Sequence, residues 1–495
     1  MPTAQTDEHP AAVAWPVVGT IAAVVGLVLL ALSTRYGYHR DELYFIAAGG
    51  HPAWGYPDQP PLTPLVAWTS EHLGGGNLVV FRLPATLVAV AVTVLSALVA
   101  RELGGRRFAQ GLAAFATATA TYVLLSGHLL VTSTVDLLVW VLVTWLVVRI
   151  LRTGDARLWL AVGVVTGLGL WNKQLPVVLV SALLVGMALT PPARHWLRSR
   201  WLWGGLAIAA VMWVPVLVWQ GAHGWPQLTL AHQISDEYGT AAERVNYLVL
   251  QVVLFSLGAT VLWVTGVVRL WRDDAWAAFR VLAWAWLVVV VAFAVTAGQG
   301  YYPAGMYPAL IAAGAVVAER WRVRWGVVAL VAVSSLLLLP AALPVLSPAT
   351  LAASPWDGLG EQLRETAGWP ELAAQVAAAY DSIPAPQRSG AEIVTDNYGE
   401  AGAIDRYGPG LGLPAAWSGH NGYGLWGPPP QSSSPVVVVW EDSPPPTDVF
   451  SGCRLVGHVT GPVENEESTR AAVYLCDGPT GGWTQTWPRV VHLSS

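Results

Sequence analysis

The chain has 495 residues, 54% hydrophobic and only 12% charged, with a mean hydropathy of +0.49. Soluble chains carry about twice that charged fraction, so lipid is the solvent for most of this one. A net charge of −5 provides no basic footprint, and nucleic acid is excluded as a partner class.

A span needs about 20 apolar residues to cross about 30 Å of hydrocarbon. That length predicts about eleven spans, near 14–34, 78–100, 108–127, 134–150, 158–171, 174–190, 201–220, 246–270, 280–297, 305–319 and 325–346. The fifth and sixth are short and meet at Trp171–Gln174. The loops between spans divide into two alternating sets. One holds fifteen basic residues, three in each loop: Arg101, Arg106 and Arg107; Arg149, Arg152 and Arg157; Arg194, Arg198 and Arg200; Arg269, Arg272 and Arg280; Arg320, Arg322 and Arg324. The other holds five: Arg35, Arg40, Arg82, Lys173 and Arg244. By the positive-inside rule the N-terminus is cytoplasmic, and the 35–77 loop and everything after 347 lie outside. The first span lacks a basic leader and a cleavage motif, so it is read as retained. Many of the 27 tryptophans sit near span ends and fit interfacial belts.

The expected architecture is therefore a polytopic α-helical membrane domain over 1–347 and an extracytoplasmic α/β domain over 348–495. In the latter, helices are predicted over 357–367, 370–380 and 397–407, with strands near 391–395, 435–440, 454–459 and 471–475. Cys453 and Cys476 both fall in this outer domain. A disulfide suits an oxidising compartment, with two free thiols as the alternative.

The spans hold almost no ionisable groups near their centres, which argues against a transmembrane path for ions or polar solutes. The polar residues gather instead at the outer ends. The first outer loop is densest, with Tyr36-Gly-Tyr-His-Arg-Asp-Glu-Leu-Tyr-Phe followed by His51-Pro-Ala-Trp-Gly-Tyr-Pro-Asp-Gln-Pro-Pro-Leu. Asp41 and Glu42 open a short amphipathic helix over 41–49, and Pro60-Pro61 start a second. Both acids could simply favour a helix N-terminus, and Asp58 could sit in a turn. The clustering of charge at 39–42 among aromatics such as Tyr44 points beyond that.

Asp136 follows Thr132-Ser-Thr at the outer start of the fourth span. It could complement the helix dipole, but an acid one turn inside a span is costly unless it faces a cavity or partner. Lys173 is the only lysine beside 25 arginines. On the outer side a lone ammonium suits a phosphate partner; plain snorkelling is the alternative. Gly221–Gln227 with His232, Asp236, Glu237 and Tyr238, and the bend Gln299-Gly-Tyr-Tyr-Pro around Tyr301 and Tyr302, could line a carbohydrate or lipid pocket or serve as connectors. No Gly-rich phosphate loop, zincin helix or nucleophile elbow is present.

Four motifs in this order resemble one group: "DELYF" after the first span, "YPDQPPL" behind it, an Asp after the third span, and "WNKQ" between two short spans. They are similar to the bacterial protein mannosyltransferase-like glycosyltransferases of the GT-C class, related to the aminoarabinose lipid A transferases. The stretch from Glu392, "EIVTDNYGEAGAIDRYG", and the later "SGHNGYGLWGP" also look like the C-terminal part of actinobacterial relatives.

The resemblance implies a GT-C-like fold. It also implies transfer of a sugar from a polyprenyl-phosphate-linked donor to a protein, lipid or polysaccharide acceptor on the outer face, with inversion. It carries the role of catalytic base or metal-binding carboxylate to Asp41, with Glu42 adjacent, and matches Asp136 to the acid after the third span. Lys173 becomes the candidate for binding the donor phosphate, with Arg40 and Arg244 behind it. Tyr44, Asp58, Tyr301 and Tyr302 become candidates for substrate contact, and His420 and Asn421 for acceptor access. Some of these enzymes need a divalent cation such as Mg or Mn, which Asp41 and Asp136 would hold. The rival expectation is a non-enzymatic polytopic protein handling lipid-linked sugars, such as a flippase or an export component.

Overall fold

The structure, a computed structural model, describes residues 11–463, 465 and 470–494. It begins with α1 (Trp15–Leu32), the first-loop helices α2 (Arg40–Gly49) and α3 (Leu62–Gly74), then α4 (Leu78–Glu102), α5 (Arg107–Ala118), α6 (Thr121–His128) and α7 (Thr132–Thr153). There follow α8 (Leu158–Leu170), α9 (Leu175–Leu189), α10 (Arg200–Ala222), α11 (Pro226–Glu237), α12 (Ala241–Val253) and α13 (Ser256–Arg272). The last of the apolar set are α14 (Arg280–Val295), α15 (Tyr307–Ala318) and α16 (Arg324–Ala342). The chain is a multi-pass membrane protein. Every expected apolar segment is helical, but only six helices among the described residues are long and apolar enough to cross alone, or eight with two bent pairs. Three more (α8, α9 and the Ala304–Ala318 segment) are short and apolar.

The bent pairs depart from expectation. The segments read as single spans over 108–127 and 246–270 break into α5–α6, bent by 60°, and α12–α13, bent by 92°. A broken helix frees backbone groups that lipid cannot satisfy. Here the two breaks serve each other: the Tyr122 amide donates to the Leu254 carbonyl at 3.0 Å. Ser256 holds a left-handed φ of +65° at the second break. Helix α15 is apolar on every face because nearly every residue in it is buried among α4, α5 and α13.

The C-terminal part contains the four expected strands and two of the three expected helices, with further short strands and helices between them. Strands β1 (Glu392–Thr395), β2 (Ala416–Ser418), β3 (Val436–Glu441), β5 (Arg454–His458) and β6 (Ala471–Cys476) form a mixed sheet in the order β2-β1-β3-β6-β5. The short β4 (Phe450–Ser451) and β7 (Gly478–Pro479) pair separately. Strand β3 is central, and Val436 to Val439 are fully buried, so its sequence runs apolar without alternation. β2 was not foreseen. The helix expected over 357–367 is only a turn at Asp357–Leu359 and another at Glu361–Arg364. Gly358 and Gly360 interrupt that stretch, and each disfavours helix by about 1 kcal/mol. Cys453 and Cys476 are joined in a disulfide.

Packing does not respect a division at 347/348. Tyr38, Leu43, Tyr44 and Phe45 of the first loop share one buried cluster with Trp369, Ile393, Tyr398, Ile404 and Val437. The helix Tyr398–Tyr407 lies directly on α2. Gly402 permits the approach, since a Cβ there would come within 2.8 Å of Leu43 Cβ.

Candidate active site

The site is assembled around the first turn of α2. His39 caps this helix: its Nδ1 accepts the Asp41 amide at 3.1 Å, and the Glu42 carboxylate accepts the His39 amide at 2.8 Å. Burial pushes the His39 imidazole below its usual range, so it is neutral, and its 4.0 Å approach to Asp41 Oδ2 is not an ion pair. The cap points Asp41 outward with its side chain 31% exposed. Asp41 Oδ1 accepts the Tyr398 hydroxyl at 2.9 Å and lies 3.8 Å from Arg40 Nε. Arg40 also lies over the Tyr398 ring, 5.8 Å from its centroid.

Glu42, one residue on, faces the opposite way. It is fully buried and paired with fully buried Arg82, whose Nε and Nη2 donate to its two oxygens at 3.0 and 2.7 Å. Glu42 Oε1 also accepts the Leu130 amide at 2.9 Å, just before α7 begins. Arg82 spends its remaining donors on the Ser33 and Gly37 carbonyls and a contact with His128 Nε2. The adjacent acids are thus separated: one is partly exposed and one locks the loop to the bundle.

Asp136 is buried on the second turn of α7, where Trp140 Nε1, four residues on, donates to its Oδ1 at 3.1 Å. Lys173 stands at the α8–α9 junction, positioned by its neighbour. Asn172 is fully buried and bonds to Thr63 at 2.5 Å and to the Thr132 carbonyl at 2.8 Å. The Lys173 ammonium reaches the Tyr301 hydroxyl at 3.4 Å and lies 5.2 and 4.9 Å from the Tyr301 and Tyr302 ring centroids.

Tyr301 links the acids to the lysine. Burial pushes its hydroxyl up, and the negative charges of Asp41 and Asp136 raise it further. Both acids are thus within electrostatic reach of one phenol, and Lys173 contacts the same phenol. Asp58 joins from the first loop. It accepts the Tyr44 hydroxyl at 2.9 Å, and burial pushes its carboxyl up to about 7 against the lowering effect of that bond, with the Asp41 charge adding to the rise. Tyr44 in turn accepts the Gly422 amide at 3.0 Å.

The remaining expected site residues have the following partners. Arg244 is exposed, donates to the Gly239 and Ala294 carbonyls, and lines a recess of about 330 Å³ with Tyr238, Tyr247 and Phe293. His420 and Asn421 are buried, and their polar side-chain atoms are engaged within the protein. His420 Nδ1 accepts the Tyr398 amide, its Nε2 meets Ser494 Oγ at 2.8 Å, and Asn421 bonds twice to the Ser494 backbone. That arrangement ties down the end of the chain.

Asp41 Oδ1 is occupied by Tyr398 and Asp136 Oδ1 by Trp140. Among the described residues no group of three or more His, Cys, Asp or Glu side chains converges. A magnesium ion is usually held by one or two carboxylates, with water and substrate phosphate supplying the remaining oxygens, so Asp41 and Asp136 would be the carboxylates available to one.

Sequence reasoning missed Tyr398, Arg82 and Trp140. Trp140 had a signal, since residues four apart share a helix face. Tyr398 lay within the stretch read as similar to relatives, but nothing in the sequence paired it with Asp41, 357 positions away.

Residues 58–219 match the family model described as dolichyl-phosphate-mannose-protein mannosyltransferase. No curated protein sequence matches the chain. Among solved structures, ArnT from Cupriavidus metallidurans bound to undecaprenyl phosphate superposes with a TM-score of 0.61 at 16% identity, covering 94% of this chain and 98% of that one. Its apo state gives the same TM-score and identity over 93% and 97%. The likeness establishes a shared fold along essentially the whole chain, and the GT-C resemblance read from the motifs is borne out at that level.

Proposed function

We propose that this protein is an inverting membrane glycosyltransferase. It takes a sugar from a polyprenyl-phosphate donor and places it on an acceptor hydroxyl at the outer face of the membrane. The observation that carries this reading is the Lys173 ammonium held on Tyr301, with the Asp41 and Asp136 carboxylates within electrostatic reach of the same phenol. Sidedness follows from the arginine bias, which puts the N-terminus in the cytoplasm and the C-terminal domain outside. The binding of undecaprenyl phosphate by ArnT of the same fold supports a lipid-phosphate donor.

The chemistry suits the residues. An acceptor O–H is a weak nucleophile, and Asp41 takes its proton as the oxygen attacks the anomeric carbon. The bond from that carbon to the phosphate oxygen breaks on the opposite face, and the electron pair leaves with the lipid phosphate. Lys173 stabilises the charge that grows there. Asp136 is held by Trp140 away from the reacting oxygen and balances the Lys173 ammonium. The Lys173–Tyr301–Tyr302 contacts keep that ammonium from folding back into solvent. No step needs a metal.

The alternative, a non-enzymatic handler of lipid-linked sugars, would not call for a carboxylate and an ammonium fixed at one interface. Purified protein incubated with a panel of polyprenyl-phosphate sugars and acceptors tests the proposal. Release of the carrier phosphate together with a product of inverted anomeric configuration supports it. Sugar translocation in vesicles without carrier release overturns it.

A further inference from the structure

Asp41 is not oriented by the membrane domain alone. One of its oxygens is held by a side chain from the far end of the chain, and the way that side chain is fixed is unusually complete. Tyr398 is the first residue of the helix Tyr398–Tyr407. Asn397 caps that helix, its side chain accepting the Gly399 amide at 2.7 Å, while Glu400 accepts the Asn397 amide at 3.1 Å. His420 Nδ1 accepts the remaining Tyr398 amide at 3.3 Å. The Tyr398 ring is packed between Tyr44 at 4.6 Å and His420 at 4.5 Å, and only 6% of the residue is exposed. Nothing in this arrangement lets the phenol swing away without undoing the start of its helix.

We infer that Tyr398 is a positioning residue for Asp41: its hydroxyl occupies Oδ1, fixes the plane of the carboxylate and leaves Oδ2 as the oxygen that receives the acceptor proton. The inference rests on the glycosyl-transfer reading of the same site. The groups facing Asp41 are His39 and Arg40 beside it, Tyr398 from the C-terminal part, Asp58 from the first loop, and Tyr301 from the 299–303 bend. Of these, Tyr398 is the one with a hydrogen bond of ordinary length to the carboxylate side chain. Burial keeps its hydroxyl protonated far above neutral pH, so it acts as a donor throughout the working range. A donor on Oδ1 fixes the plane of the carboxylate and leaves Oδ2 as the oxygen not bound by Tyr398. The C-terminal part thereby completes the catalytic geometry from outside the membrane domain.

The test uses the full-length protein in detergent and needs no substrate. A water-soluble carbodiimide with an amine modifies protonated carboxyls, so the extent of Asp41 labelling against pH, read by mass spectrometry, gives a midpoint for that residue. Tyr398→Phe should raise this midpoint by about one pH unit, the size of one lost charge-assisted hydrogen bond. Arg406→Gln serves as the control for loosened docking. Arg406 joins the same helix to Gly76 and Glu71 without touching Asp41, and its loss should leave the midpoint in place. An unmoved midpoint in Tyr398→Phe overturns the inference, as does an equal shift in Arg406→Gln. With a donor in hand, the acid limb of kcat/KM in Tyr398→Phe should move up by the same amount while donor KM stays constant. A moved midpoint with an unmoved acid limb would keep Tyr398's hold on Asp41 and remove Asp41 from the reaction, which separates failure of this inference from failure of the functional reading.

Discussion

Glu42 and Arg82 form an ion pair with neither side chain exposed, joined by two hydrogen bonds, and each partner also binds backbone at the ends of other elements. Glu42 holds the amides of His39 and Leu130, and Arg82 holds the carbonyls of Ser33 and Gly37. One buried pair therefore sets the spacing between α2, which carries Asp41, and α7, which carries Asp136. Taking two charges out of water costs several kcal/mol, and only complete pairing offsets it.

Removing one partner should be severe. Glu42→Ala leaves an uncompensated guanidinium at zero exposure and should cost about 3–5 kcal/mol. Thermal unfolding of the detergent-solubilised protein checks this, as does the yield of folded material. A loss under about 1 kcal/mol would mean the pair is solvated and not structural.

The close contact between α2 and the helix Tyr398–Tyr407 gives a second prediction. Gly402→Val places methyl groups where a Cβ alone already lies 2.8 Å from Leu43 Cβ. Overpacking of this kind costs about 1–3 kcal/mol. Because the two helices must part, amide exchange across 398–407 should rise while the α4–α7 bundle keeps its protection. Unchanged exchange would show that the two parts are not seated as described.

Asp58 makes the molecule sensitive to pH. Its carboxyl is pushed up to about 7 in the folded chain from an unfolded value of 3.8, mainly by burial. The neutral form is the one the fold prefers, so the stabilisation is fully present below pH 3.8 and is lost as pH rises through about 7. The melting temperature of the wild-type protein should therefore fall between pH 5 and pH 8 relative to that of Asp58→Asn. Parallel curves for the two proteins would contradict the assignment.

Much of this was legible in the sequence, for identifiable reasons. Apolar length located each membrane helix, since lipid imposes a continuous apolar run. The run Val436–Val439 marked a strand, and the structure shows it to be central and buried. Asp41, Asp136 and Lys173 stood out because a charge at a membrane face needs a reason to be there. What length could not give were the breaks at Thr119–Ala120 and Leu254–Phe255, because each is satisfied by the other, 132 residues away by the Tyr122–Leu254 bond. Nor could adjacency separate the roles of Asp41 and Glu42. Neighbouring helix positions point about 100° apart, and which one meets Arg82 is decided by packing from α4. His420 and Asn421 carried the polar character of a binding motif, yet the structure engages both with Ser494. Tyr398 reaches Asp41 through tertiary packing alone.

Lys173 provides a kinetic prediction. Lys173→Met removes the cation facing the donor phosphate while keeping an unbranched side chain only one atom shorter. A hydrogen bond to a charged group contributes about 1.5–3 kcal/mol, so kcat/KM for the donor should fall by roughly 10- to 150-fold. Carrier release measured against donor concentration checks it, and an unchanged kcat/KM would place the phosphate elsewhere.

The most direct measurement is carrier-phosphate release by Asp41→Asn, set beside wild-type protein at equal folded abundance in the same membranes. The amide still accepts the Tyr398 hydroxyl but cannot take a proton. We expect turnover to fall to background while photo-crosslinking of a polyprenyl-phosphate probe persists. Turnover close to that of the wild type would contradict the account, because no other exposed carboxylate shares Asp41's place at the Tyr398–Tyr301 junction among the described residues.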